Sequence, residues 1–226
     1  RCEDRNARKS EQGDRPGVPV SRLTFVRADS SLRMQLTMPW SDRPEAMQFQ
    51  TTPIEGLTIV ESRVFTDERG FFVETWQHQR FAEAGLSETF VQDNHSRSRT
   101  GVLRGLHYQI QQPQGKLVHV ARGAIYDVAV DLRRSSPTFG RWFGVMLSAQ
   151  PNRMLYVPPG CAHGFYVTEG PADVCYKCTD FYAPQHERTL LWNDPELGIE
   201  WPLSGTPVVS AKDQQGALLE SAETYA

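Results

Sequence analysis

Residues 103–132 read LRGLHYQIQQPQGKLVHVARGAIYDVAVDL. Three short segments of that stretch carry a strand signal: Leu103–Gln109, Lys116–Ala121 and Ile125–Leu132, the last two parted by Arg122-Gly123. They are rich in branched and aromatic residues and alternate in character, as a strand does when successive side chains face opposite sides of a sheet. A strand over 103–109 puts Gly105, His107 and Gln109 on one face and Leu106 and Tyr108 on the other. If Leu106 and Tyr108 enter a packed layer, His107 faces the other side of the sheet, which in a barrel is a pocket. The competing reading of a lone histidine is a hydrogen-bonded structural residue.

The same texture extends in both directions. Strands are expected at Leu57–Phe65, Phe71–Glu74, Arg141–Leu147, Met154–Val157, Ala162–Thr168 and Asp173–Thr179. Turn residues punctuate them at Asp67–Gly70, Ser136-Pro137, Pro151-Asn152, Pro158–Gly160 and Gly170-Pro171. One short helix is expected over Gln77–Ala84, with Phe81 and Ala84 on one face and Gly85 behind it. Many short strands at close spacing predict an all-β antiparallel sandwich or barrel. Neither βα alternation nor a Gly-x-Gly-x-x-Gly or P-loop motif is present, which argues against a Rossmann or P-loop nucleotide site.

The chain has 226 residues, 39% apolar and 23% charged, with 24 Lys+Arg against 27 Asp+Glu and a formal charge of −3. That apolar fraction supports a real core. The near-balanced charge predicts neither a nucleic-acid nor a membrane surface, and no apolar run is long enough to span a bilayer. Residues 1–46 differ: they carry nine Lys/Arg and seven Asp/Glu, and their large apolar residues are scattered without a period. They are expected to be a disordered or non-native extension that activity does not require, with residues 47–226 as the folded domain. The first residue is Arg, and of Met34, Met38 and Met47 the last is the favoured start. Four cysteines (Cys2, Cys161, Cys175, Cys178) and no apolar segment behind the N-terminal charges predict a reduced, cytoplasmic chain.

Chemistry-bearing residues fall in four clusters. Arg104–Gln109 is followed by Gln114-Gly115-Lys116-Leu117. Pro158–Gly160 turns into Cys161-Ala162-His163-Gly164-Phe165, where His163 and Phe165 share a face. Cys175-Tyr176-Lys177-Cys178 has C-x-x-C spacing, but zinc needs further ligands, and mid-strand the two thiols point to opposite faces. Tyr176 in that segment offers a phenol as general acid. Trp192–Pro202 is turn-rich, and Asp213 beyond it is a carboxylate able to pair with a histidine.

Together these segments resemble the dTDP-4-dehydrorhamnose 3,5-epimerase family, from about residue 53 to about residue 220. The resemblance rests on Asp67–Phe72, Gln92–Ser96, Arg104–Gln109, Gln114–Leu117, Asp127–Asp131, Ser136–Gly140, Ala162–Phe165 and Tyr176–Asp180, in order. It implies a cupin-like jelly roll, an isomerase of dTDP-rhamnose synthesis acting on a dTDP-linked 4-keto-6-deoxy sugar, a homodimer, and no cofactor or metal. By matching position it implies His107 as base, Asp213 as its partner, Lys116 at the C4 oxygen and Tyr176 as acid. It implies substrate contacts from Arg69, Glu74, Gln92, Asp93, Asn94, Arg104, His163, Glu187 and Lys212, with Phe181 or Tyr182 stacking on thymine. Phe181 stands where many members carry Tyr, and His119 where Arg is expected.

Strict alternation puts Arg104 and His107 on opposite faces, so both reach one site only through a bulge at Gly105 or if Arg104 ends its strand. A sibling that inverts only C3 or only C5 is the nearest alternative. A metal-dependent cupin is disfavoured because Gln109, two residues after His107, breaks the H-x-H pair. A non-catalytic sugar-nucleotide binder is disfavoured by the presence of both His107 and Tyr176.

Overall fold

The computed structural model describes residues 47–226, so the expectations for residues 1–46 lie outside the described residues. Eleven strands are found there: β1 (Met47–Thr51), β2 (Thr58–Ser62), β3 (Val64–Asp67), β4 (Gly70–Val73), β5 (Gln92–Ser98), β6 (Leu103–Gln109), β7 (Lys116–Asp131), β8 (Trp142–Ser148), β9 (Arg153–Val157), β10 (Cys161–Cys178) and β11 (Glu187–Thr189). Two short helices accompany them, α1 (His78–Glu83) and α2 (Ala211–Gln214).

Nine strands form one sheet in the order β1-β2-β9-β7-β10-β6-β11, with β5 added to β10 and β8 to β7; β3 and β4 form a separate hairpin. Every strand ladder is antiparallel. Each long strand serves two neighbours along its length. The first part of β7 pairs with β9 and the second with β8; the first part of β10 pairs with β6 and the second with β5. This sharing rolls the sheet into the all-β, cupin-like antiparallel jelly-roll barrel that the resemblance implied.

The long strands also correct the sequence reading. Lys116–Ala121 and Ile125–Leu132 are one strand, as are Ala162–Thr168 and Asp173–Thr179. Arg122-Gly123 and Gly170-Pro171 are irregularities inside continuing strands, where the β7–β10 register slips between Val167 and Val174. Gly123 is required there: it has φ +76°, and a Cβ would sit 2.4 Å from the Glu169 carbonyl oxygen. The slip reverses the inward parity. Val118 and Val120 line the barrel core before it, Ile125 and Ala129 after it. On β10, Phe165 and Val167 give way to Ala172 and Val174. Leu57–Phe65 divides at Arg63 into β2 of the main sheet and β3 of the hairpin. β5 escaped the sequence reading because Gln92–Ser98 holds no apolar residue to mark a period.

Two further apolar layers cover the outside. Leu106, Tyr108, Val128 and Val130 pack beneath Leu190, Leu197 and Leu219 of the C-terminal segment. Phe81 of α1 and Leu86 pack on Met47, Val60, Leu117 and Met154. The helix begins at Gln77, whose side-chain oxygen accepts the Arg80 N–H at 2.7 Å. With Leu106 and Tyr108 fixed outward, His107 is turned inward.

Candidate active site

His107 stands on β6 at the wall of a cleft of about 270 Å³. Its Nε2 lies 2.7 Å from Asp213 Oδ1. Asp213 rides on α2, a single turn whose first residue is capped by Ser210: the Asp213 N–H donates to Ser210 Oγ at 3.1 Å. Its second oxygen accepts the Gly105 N–H at 3.2 Å. Burial pushes the Asp213 carboxyl up, but the His107 hydrogen bond and charge, with the Gly105 N–H and Ser210, bring it below the usual carboxylate range.

Of the two ways to bring Arg104 and His107 to one side, the structure shows the bulge at Gly105. On β10, His163 faces His107 and Phe165 faces Arg104, so Gly105 and Leu106 of β6 together oppose the single residue Gly164 of β10. Gly105 has φ +110°, and a Cβ there would meet the Gly164 Cα at 2.6 Å. The bulge turns Arg104 to the same side as His107: its Nε donates to Ser98 Oγ at 2.9 Å, and its charge acts on the Tyr176 phenol.

Lys116, Tyr176, Gln92, Asn94 and Glu187 line the same cleft. Lys116 Nζ points toward the His107 carbonyl oxygen at 3.4 Å, and burial pulls its ammonium below the ordinary lysine range. Tyr176 lies on the far half of β10; burial raises its phenol, as do Cys178 and Glu187, against Arg104. Glu187 closes one side, paired with Lys212 at 2.5 Å and accepting the Tyr182 hydroxyl at 2.8 Å. Burial raises the Glu187 carboxyl, and Lys212 and Tyr182 outweigh it, leaving the group lowered.

The remaining expected residues fall elsewhere. His163 is buried beneath the cleft, its Nε2 2.7 Å from Asp127 Oδ1. Asp93 is a correction: it follows the alternation of β5 to the opposite face from Asn94, where its exposed carboxylate pairs with Lys177 at 3.0 Å. Arg69 and Glu74 do not line the cleft. Arg69 is exposed on the β3–β4 hairpin beside Asp67, and Glu74 pairs with Arg80 at 2.5 Å. Of the two aromatic candidates, Tyr182 lines the cleft and Phe181 does not.

Sequence reasoning missed Gln109 and Gln114. Gln109 binds the Gln112 and Phe181 carbonyl oxygens at 2.7 and 3.2 Å and accepts the Ala183 N–H at 2.8 Å. Gln114 Nε2 donates to the Asp180 carbonyl oxygen at 2.8 Å. Both fix the loops at the cleft mouth. The signal was available: Gln109 shares the inward face with His107. The C-x-x-C thiols do split as expected, Cys178 inward beside Asn94 and Cys175 on the other face. The cleft thus combines a carboxylate-held imidazole, a buried ammonium and a protonated phenol on different walls. That set can remove a proton from carbon, stabilise the resulting oxyanion and return a proton.

The family model described as dTDP-4-dehydrorhamnose 3,5-epimerase matches residues 51–221. A Pseudomonas aeruginosa protein of that name is 55% identical over 173 residues, covering 76% of this chain and 96% of its own. One from Salmonella typhimurium is 52% identical, covering 76% and 94%. The crystal structure of a dTDP-6-deoxy-D-glucose-3,5-epimerase from Legionella pneumophila, in complex with dTDP-4-keto-L-rhamnose, superposes with a TM-score of 0.77 at 50% identity, covering 78% of this chain and 95% of that one.

Proposed function

The chain belongs to the dTDP-4-dehydrorhamnose 3,5-epimerase family, and from that premise we propose that His107, Asp213, Lys116 and Tyr176 carry an epimerisation at C3 and C5 of dTDP-4-dehydro-6-deoxy-D-glucose. The product is dTDP-4-dehydro-L-rhamnose, in dTDP-L-rhamnose synthesis. The C4 ketone makes the hydrogens on C3 and C5 acidic, because either carbanion delocalises into an enolate. His107 removes the proton, and Asp213 fixes its tautomer and stabilises the imidazolium. Lys116 faces the C4 oxygen and offsets the enolate charge, a contribution that is often the largest in such reactions. Tyr176, its phenol held protonated by burial, returns a proton to the opposite face of the carbon. The observation that carries this reading is the 2.7 Å His107–Asp213 contact opening on the cleft that Lys116 and Tyr176 also line.

Arg104, Lys212 and Arg69 suit a pyrophosphate by charge. Gln92, Asn94 and Glu187 suit sugar hydroxyls and the base edge, with Tyr182 the better placed of the two aromatics to stack on thymine. His163 and the Asp93 backbone complete the set. We assign Arg69 and Glu74 to a neighbour's cleft in a homodimer, because the hairpin carrying Arg69 presents Phe65, Phe71 and Phe72 to solvent. Among the described residues no helix is long and apolar enough to cross a membrane. Free thiols at Cys161, Cys175 and Cys178 support a cytoplasmic setting. NMR of the product formed from dTDP-4-dehydro-6-deoxy-D-glucose tests the reading: both centres inverted is the expected result, and inversion at one carbon alone assigns the protein to the single-centre epimerases.

A further inference from the structure

Lys116 is a buried cation with little local support. Among the described residues its ammonium makes one hydrogen bond, the 3.4 Å contact with the His107 carbonyl, and no ion pair. An uncompensated charge in such a place tends to lose its proton. A neutral amine would stabilise an enolate poorly.

Asp127 has the opposite imbalance. It is 0% exposed on β7, and one oxygen receives His163 while the other, Oδ2, has no hydrogen-bond partner. The β7 slip puts the two on the same inward face, since with unbroken alternation residues 116 and 127 would face opposite sides of the sheet. Both reach the His107–His163 pair: Lys116 Nζ lies 3.4 Å from the His107 carbonyl oxygen and Asp127 is bound to His163. His163 is also the cross-strand neighbour of His107, so the pair lies directly under the site.

The groups facing Lys116 sort by charge. Cys178 and Cys161 on β10 lie close, but burial raises both thiols, Cys161 to about 12, so they are neutral near pH 7. Glu187 on β11 exerts a larger field on Lys116 than Asp127 does, but its carboxylate is shared with Lys212 and Tyr182. Asp213 on the C-terminal segment is committed to His107 of β6. Asn94 of β5 and Tyr176 of β10 are uncharged. Asp127 remains the carboxylate with no lysine or arginine of its own. An imidazolium at its partner His163 would cancel that charge, whereas a neutral imidazole donor leaves it available. A second buried cation beside Lys116 is the costlier arrangement.

We propose that Asp127, held by a neutral His163, is the counter-charge that keeps Lys116 an ammonium inside the barrel. Asp127 acts through Lys116 and is a positioning residue, and its role rests on the assignment of Lys116 to the enolate. The direction of its field on Lys116 agrees, opposing the loss of the proton.

The test is a titration of Lys116 by NMR of the labelled side-chain ε-carbon, its signal assigned by its disappearance in Lys116→Met. In Asp127→Asn the Lys116 pKa should fall by about one unit or more, a tenfold loss of ammonium above it, and the alkaline limb of the kcat profile should move down with it. In His163→Asn, which keeps a donor to Asp127, the Lys116 pKa should stay in place. An unmoved Lys116 in Asp127→Asn overturns the proposal; a rise in His163→Asn does too, because it shows that His163 was charged. If Asp127→Asn does not fold, the His163→Asn result and the wild-type titration decide, and a neutral Lys116 at pH 7.5 in the wild type overturns it. Full turnover by Lys116→Met would instead remove the enolate role while leaving the titration result standing.

Discussion

Asp213 joins two distant pieces of chain at a single carboxylate: one oxygen takes His107, the other the N–H of the β6 bulge. Its lowered pKa keeps it charged well into acid, so the dyad survives at any pH where the imidazole can act as a base. Asp213→Asn should lower kcat by about 10²–10⁴-fold, because the amide admits the wrong tautomer, with KM nearly unchanged. A kcat within twofold of wild type contradicts the dyad. That His107, Lys116, Tyr176 and Asp213 meet at one cleft was legible in the sequence, because they fall within a distinctive order of segments. Asp127 appeared only as part of a motif. Its meaning depends on which face of β7 it takes, and that is set by a register slip which local composition shows only as an apparent turn. The direction of the Asp93 side chain was hidden for the opposite reason: its neighbours Gln92 and Asn94 face the cleft, and strand alternation turns the carboxylate away to Lys177.

Among the elements, the two long strands matter most, and the tight end of β7 shows how one is fixed. Asp131 is fully buried and accepts from Arg133 Nε at 2.9 Å, Ser136 Oγ at 2.6 Å and Thr138 Oγ1 at 2.7 Å, tying the following turn to the strand. Burial would raise its carboxyl, but those bonds bring it to about 2 from an ordinary 3.8. A depressed folded-state pKa stabilises the fold above the unfolded value, and that contribution is lost as pH falls through the folded one. The shift corresponds to about 2 kcal/mol at neutral pH. The difference in urea stability between wild type and Asp131→Asn should therefore be about 2 kcal/mol or more at pH 7 and narrow between pH 4 and pH 2; a gap independent of pH contradicts it. The strands were legible as alternating segments, but their lengths were not. Gly123 and Gly170 look like strand ends in isolation, and only the partner strand shows that pairing resumes beyond them.

For the whole molecule, the count and spacing of strands predicted an antiparallel sandwich or barrel, and the family resemblance of the ordered segments chose the jelly-roll barrel. The hairpin β3–β4 is the part that a single chain does not explain: among the described residues it joins no other strand, and Phe65, Phe71 and Phe72 are 48%, 60% and 68% exposed. Covering that patch with a second copy would also bring Arg69 to a neighbour's cleft. Light scattering at micromolar concentration should give twice the chain mass of 25.6 kDa. Phe72→Asp should shift the mass toward one chain and raise KM, and a fully active monomer contradicts the arrangement.

The central claim is that base and acid act from different walls through one enolate, and hydrogen exchange in D2O tests it most directly. His107→Ala should abolish turnover and the exchange of the C3 and C5 hydrogens together, since no enolate forms. Tyr176→Phe keeps the ring and deletes only the acidic proton, so deuterium should still enter with retained configuration while inverted product falls sharply. If Tyr176→Phe blocks deuterium entry as completely as His107→Ala, Tyr176 is needed for proton removal and the assignment is wrong.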